Sequence, residues 1–321
     1  MAAGSDGTVL AVERDVRSRY WELYHVDQAL GVMDRTLAVL RELASVAGAM
    51  YAVGSVPQSD VVRAQASLTR MQQEIEEMRL MRVRAAAELN AAMGRPADAG
   101  VALPPQHPDT AHHAAMRPLT TPVLTSLDTL AAFADSNSPE LAGARAMLEA
   151  ARTGQTLARR MIYPELSLGV SYGQRSGAGG LPGDDMVSAM VGVSVPVFAR
   201  SRQYRMRDEA LAMREQAEAE LAAMRLELRA MILAAREEAE TARRQLERVV
   251  GTLVPQATAA YDASLAAYRV GRVDFMTVLD AQMELLTYQH DLHRYEAMYG
   301  AAVAEVDRLI GRPFAAAAAV R

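Results

Sequence analysis

The chain repeats itself at a fixed spacing. Tyr51, Val53, Gly54, Val56, Val61, Ala64, Gln65 and Leu68 recur 217 residues later as Tyr268, Val270, Gly271, Val273, Val278, Ala281, Gln282 and Leu285. The offset holds without insertion or deletion to Gly94, Arg95 and Pro96, which return as Gly311, Arg312 and Pro313. Self-similarity of this kind restricts the fold to two copies of one design, each unable to bury its apolar face alone. At the same offset Met1 corresponds to Glu218, so the stretch 139–217 has no counterpart in the first half. A block of that size is expected to be missing from the first repeat, either because the duplication was incomplete or because an N-terminal part is absent.

Helical periodicity is strongest after each Tyr-x-Val-Gly element. Val278, Ala281, Leu285, Tyr288, Leu292, Tyr295, Tyr299, Ala302, Val306 and Leu309 occupy successive a and d positions of a heptad seam. The first half carries Val61, Ala64, Leu68, Met71, Ile75, Met78, Arg82, Ala85, Leu89 and Ala92 in the same register, broken only by Arg82. Both helices are expected to stop at Gly94 and Gly311, each followed two residues later by Pro. From about Ser201 to Tyr268 the sequence reads as one helix of strong helix formers, with Gly251 and Pro255 expected to kink or interrupt it. Such a helix would reach on the order of 100 Å. It needs comparable helices alongside it, which argues for an oligomer.

One section has a different period. From Pro164, residues Leu166, Leu168, Val170 and Tyr172 alternate with Ser167, Gly169, Ser171 and Gly173. After a turn rich in Gly, Pro and Asp, Val187, Ala189, Val191, Val193 and Val195 alternate with Ser188, Met190, Gly192 and Ser194. Two such strands match the pattern of membrane barrel strands and also that of a half-buried hairpin in a soluble sheet. Pro196 suits the exit from the sheet.

Composition narrows the function classes. The chain has 5% aromatic residues, no cysteine and a net charge of -5. Disulfide frameworks and Cys-based metal sites are excluded, and nothing suggests nucleic acid, which needs a clustered basic face. No N-terminal stretch has the order of a signal peptide, and no apolar run is long enough for a spanning helix. Hydropathy says little about membrane β-strands.

In order and spacing these elements resemble the TolC-like outer-membrane efflux proteins, the outer-membrane factors of bacterial tripartite pumps. The resemblance rests on the doubled Tyr-x-Val-Gly element with Val-x-x-Ala-Gln six residues on, on Tyr163-Pro-Glu-Leu-Ser-Leu168, and on Val193-Ser-Val-Pro-Val-Phe198, and it covers nearly the whole chain. The run Ala87-Glu-Leu-Asn-Ala-Ala-Met-Gly-Arg-Pro-Ala-Asp-Ala99 looks like the heavy-metal efflux branch. The resemblance implies a mainly α fold with one β-hairpin: long coiled-coil helices forming an α-barrel in the periplasm, and the hairpin contributing to a trimeric outer-membrane β-barrel. It divides the chain into an incomplete first repeat (1–96, tip turn 51–60), an equatorial linker (97–138), a second repeat (139–313) and a tail (314–321). The second repeat would hold a helix, the hairpin 164–198, the long helix 201–268, the tip turn 268–277 and a returning helix to 310. The chain would be a passive exit duct for small molecules or heavy-metal ions. Its partners would be two further copies, a periplasmic adaptor, an inner-membrane pump and outer-membrane lipid.

The resemblance also implies site residues. Tyr51, Gly54 and Asp60, with Tyr268, Gly271 and Asp280, would form the periplasmic tip that docks the adaptor. Asp60 and Asp280 fall where family members often place carboxylates near the tunnel entrance, and three copies of each would attract cations and repel anions. The plainer reading of each is a solvated helix-start charge. Better-known members close the tunnel through an Arg two residues after the second turn glycine. This chain has Val273 there, with Arg272 adjacent. Since the family uses twelve strands and three copies of this chain offer six, the 321-residue chain alone is expected not to form a normal open barrel.

No cofactor and no catalytic constellation is expected: there is no phosphate loop, nucleophile elbow or metal-ligand motif. His290 and His293 are spaced i, i+3, while His107, His112 and His113 lie in a proline-containing linker. The nineteen methionines suit gap-filling between helices, and no metal site is assigned. Two alternatives remain open at this point. A periplasmic adaptor would need short-strand domains that the sequence lacks, and a soluble coiled-coil scaffold would leave the hairpin and the doubled turn unexplained.

Overall fold

A computed structural model of the chain describes residues 2–103, 126–174, 185–195 and 202–312, with side chains from residue 7 onward. The turn between the strands (175–184), the strand exit at Pro196–Phe198, Pro313, His107, His112, His113 and the tail 314–321 lie outside the described residues. The elements are α1 (Ala2–Ala52), α2 (Gln58–Ala92), α3 (Leu127–Asn137), α4 (Pro139–Arg160), β1 (Glu165–Gly173), β2 (Met186–Ser194), α5 (Gln203–Arg248), α6 (Val254–Arg269) and α7 (Phe275–Ile310). Among the described residues no helix is long and apolar enough to cross a membrane.

The repeat is conformational as well as chemical. Among the described residues, positive φ occurs only at Gly54 (73°), Gly271 (70°), Gly94 (66°) and Gly311 (76°), which are two repeat pairs. At the first pair the bonding is the same: Gly54 N–H donates to Tyr51 C=O at 2.9 Å and Ser55 N–H to Met50 C=O at 2.8 Å, while Gly271 and Arg272 donate to Tyr268 and Ala267, both at 2.9 Å. Gly94 with Arg95 and Gly311 with Arg312 repeat this double bond at the other helix ends. Each is a Schellman cap, whose left-handed residue costs a glycine least.

Residues 1–139 and 228–321 form one compact unit, and 140–227 form another, so the units cut across the sequence repeats. In the first unit α1 packs against both α2 and α7, and α6 packs against α7. One core joins Leu30, Leu37, Leu40, Leu43 and Ala47 of α1 to Ala64, Met71 and Ile75 of α2 and to Tyr268, Phe275 and Val278. The heptad seams therefore face inward. Arg82, the break in the first seam, is accommodated because its guanidinium pairs with the buried carboxylate of Asp27 on α1. The predicted interruption at Gly251 is a single π-turn, Val249–Leu253, after which Pro255 sits in the first turn of α6, where it needs no N–H partner.

The segment 97–138 is more than a linker. It contains α3, capped by Ser126, which accepts from Thr129 N–H at 3.3 Å, and packed on α7 through buried Leu130 and Ala134. The residues suggesting the heavy-metal branch have a structural task. Asn90, fully buried, donates to the carbonyls of Ala97 (3.2 Å) and Ala99 (2.8 Å) and ties the following loop to the end of α2.

Between α1 and α7 lies a cluster of rings. Tyr24 hydroxyl donates to Glu296 at 3.1 Å, and His293 Nδ1 lies 2.9 Å from the same carboxylate oxygen. His25 stands edge-on to His290 with centroids 4.8 Å apart, and its Nε2 is buried without a hydrogen-bond partner among the described residues. Burial first, then His290, His293 and Arg294, push the His25 pKa down to about 4 from 6.5. Because the folded chain refuses a proton that the unfolded chain accepts, stability is expected to fall as pH drops from about 6.5 toward about 4. Urea titrations at stepped pH check this against His25→Leu, which should show a shallower acid slope. An unchanged slope would assign the loss elsewhere.

The second unit carries the hairpin. β1 and β2 pair antiparallel in a register that sets Leu166 opposite Val193, Leu168 opposite Val191, Val170 opposite Ala189 and Tyr172 opposite Val187. Apolar residues thus meet apolar ones on one face, and Ser167–Gly192 and Ser171–Ser188 meet on the other. The apolar face is bare: Leu168 is 74% exposed and Val170 79%. Among the described residues no core covers it.

Candidate functional site

The sequence-predicted site residues gather at one end of the first unit. The turn after α1 and the turn after α6 share one core cluster, in which Met50, Val56 and Val61 of the first meet Tyr268, Val273 and Phe275 of the second. The two turns have the same backbone but present different chemistry. Tyr51 is exposed, whereas its counterpart Tyr268 is 1% exposed and lies edge-on to Phe275 at 5.9 Å. Its hydroxyl has no hydrogen-bond partner among the described residues. Burial, and then the nearby Asp60 carboxylate, raise the Tyr268 pKa.

The carboxylates also differ. Asp60 is buried at the third position of α2, where its N–H donates to Pro57 C=O at 3.1 Å, rather than facing solvent as an entrance charge would. Asp280, one turn into α7, is exposed. In the second copy the capping acid is Asp274, which accepts from Thr277 N–H at 2.9 Å and Thr277 Oγ1 at 2.6 Å, bonds that hold its carboxyl below the usual range. Its counterpart Pro57 gives α2 no side-chain cap. Arg272 is exposed and Val273 packs into the shared cluster, so the Arg-based closing contact has no equivalent at that position.

Sequence reasoning missed the most exposed apolar side chains of this end. Val53 is 76% exposed and Val270 66%, each one residue before its turn glycine. The signal was present in the repeat, since an apolar residue conserved between two turn apices without burial there has no core to serve. Among the described residues no group of three or more His, Asp or Glu side chains is placed to hold a metal ion.

The family model described as outer membrane efflux protein matches residues 131–312, more than half of the chain. The chain belongs to the outer membrane efflux protein family. VceC of Vibrio cholerae aligns over 98% of this chain and 72% of its own, with a TM-score of 0.79 and 18% identity. CusC aligns over 97% and 70%, with a TM-score of 0.81 and 15% identity. The open state of the MtrE outer-membrane channel of Neisseria gonorrhoeae aligns over 97% and 68%, at 0.77 and 15%. At these identities the likeness speaks for the fold. No curated protein sequence matches the chain. As a family member the chain is an outer-membrane channel subunit of an efflux system. The bare apolar strand face then has lipid to meet. Nothing favours the adaptor or scaffold readings.

Proposed function

We infer that three copies of this efflux-family chain assemble into one passive duct, and that the paired turns are its docking end for a periplasmic adaptor. The observation that carries this reading is the gathering of two identically capped turns on one core, with Val53 and Val270 projecting from it. Exposed aliphatic side chains on rigid turns are suitable anchors for the helical hairpin of a partner. Gly54 and Gly271 set the turns, Tyr51 flanks the first anchor, and Tyr268 with Asp60 fills the space beneath them. Three exposed Asp280 carboxylates would bias the entrance toward cations. Energy would come from an inner-membrane pump, because the channel has no energy-converting site of its own in this reading.

The test is a double substitution, Val53→Asp with Val270→Asp. Neither side chain is in the core, so the melting temperature should hold, while adaptor binding in pull-down or surface titration falls by at least about ten-fold. Undiminished binding and efflux would remove these turns as the docking end.

A further inference from the structure

We propose that the helical base of the hairpin holds anionic phospholipid by its phosphate headgroup. The proposal rests on the outer-membrane placement of the hairpin and concerns what lies at its edge. The described residues 150–164, 186–195 and 202–207 flank or form the strands and contain six arginines and no Asp or Glu, in a chain whose net charge is -5. The bordering acids are Glu149, Glu165, Asp185 and Asp208, and Arg152 pairs with Glu149 at 3.8 Å and Glu218 at 3.7 Å. Asp208 accepts from Arg207 at 2.9 Å, and the Arg207 guanidinium also lies 5.2 Å from the Tyr204 ring centroid. Arg159, Arg160, Arg202 and Arg205 are exposed and form no ion pair among the described residues.

Helix electrostatics alone does not explain that placement. Arg159 and Arg160 end α4, where cations are favourable, but Arg202 and Arg205 stand at the start of α5, whose first turn holds no acid. Cations at a helix N-terminus oppose its dipole. A bound anion would reverse that penalty, since it would face both the guanidinium groups and the positive end of the helix dipole. Between these helix ends is a cleft of about 480 Å³, lined by Gln155, Arg159, Ile162, Tyr163, Arg207 and Leu211 together with Asp208. Tyr163, 74% exposed, lines the cleft three residues before Leu166 of β1, at the level where interfacial tyrosines sit. The site is thus continuous with the apolar strand face: acyl chains would run along Leu166 and Leu168 while the phosphate sits among the arginines. A free phosphate would use the arginines but gain nothing from that apolar continuation, so the surface is assigned to lipid.

The experiment is flotation of the full chain with vesicles of phosphatidylcholine alone or mixed with phosphatidylglycerol. Removing one guanidinium near a charged membrane surface costs roughly five-fold in partition. Wild type should therefore partition at least about ten-fold better into the mixed vesicles, a preference that high salt weakens. Arg159→Gln with Arg160→Gln and Arg205→Gln should lose the preference yet still enter phosphatidylcholine, and the three Lys substitutions should retain it. Equal partition of wild type into both vesicles, or abolition of the preference by inorganic phosphate at lipid-like concentrations, would overturn the headgroup site while leaving the membrane reading intact. Failure to enter either vesicle would overturn the membrane reading and the site with it.

Discussion

Gly311→Ala is expected to destabilise the first unit by about 3 kcal/mol or more, well beyond the same change at its repeat partner Gly94. All four turn glycines have φ between 66° and 76°, so each alanine carries a left-handed penalty of about 1–2 kcal/mol. Only Gly311 adds a collision. A Cβ there would lie 2.3 Å from Asn137 O and 2.6 Å from its carbonyl carbon, whereas at Gly54, Gly94 and Gly271 it meets nothing within 4 Å. The obstacle is backbone at the end of α3, and α3 is held in place by packing on α7 and by Arg312, whose guanidinium lies 4.0 Å from the Phe133 ring centroid. Denaturant unfolding of the four single variants gives the ranking. Four equal losses would mean that α3 does not sit against Gly311.

Replacing Glu296 with Leu is expected to cost about 3–5 kcal/mol, because a carboxylate 1% exposed serves both Tyr24 and His293. Its removal leaves a buried hydroxyl and an imidazole nitrogen without their common partner, which is more costly than removing all three polar groups. The triple variant Tyr24→Phe, His293→Leu and Glu296→Leu should therefore recover most of the loss. Equilibrium unfolding of the single and triple variants decides it, and a triple variant no more stable than the single would show that packing volume, rather than unpaired polarity, governs the cluster.

Features set by local periodicity were readable in the sequence. The two-residue alternation from Leu166 and from Val187 predicts the strand faces, and the register pairs them as that alternation requires. The doubled turn was readable because the same Schellman geometry needs Gly at the same place in both copies. What could not be read depended on partners distant in sequence. Arg82 looks like a defect until Asp27 of α1 is beside it, and the i, i+3 spacing of His290 and His293 gives no hint that His25, Tyr24 and Trp21 approach from another helix. Gly300 is a further case: a Cβ there would fall 2.0 Å from the Trp21 ring, while its repeat counterpart Val83 is 64% exposed. The repeat is therefore symmetric in its turns and asymmetric in its packing. Asp60 is buried for a reason the helix start does not show, since it lies near Tyr268, a residue of the other copy. α3 was within reach: Leu127, Leu130, Ala131 and Ala134 have helical spacing behind a Ser126 cap, but the surrounding prolines and histidines dominate that segment.

The central claim is that this chain places its hairpin in the outer membrane with one face toward lipid. The absence of native cysteine allows spin labels to be introduced one at a time from Leu166 to Tyr172 without background. In native outer membranes, labels at 166, 168, 170 and 172 should collide with oxygen dissolved in lipid, and labels at 167, 169 and 171 with a water-soluble nickel chelate, giving an alternation of period two. Uniform access to the water-soluble reagent at all seven positions would contradict the account.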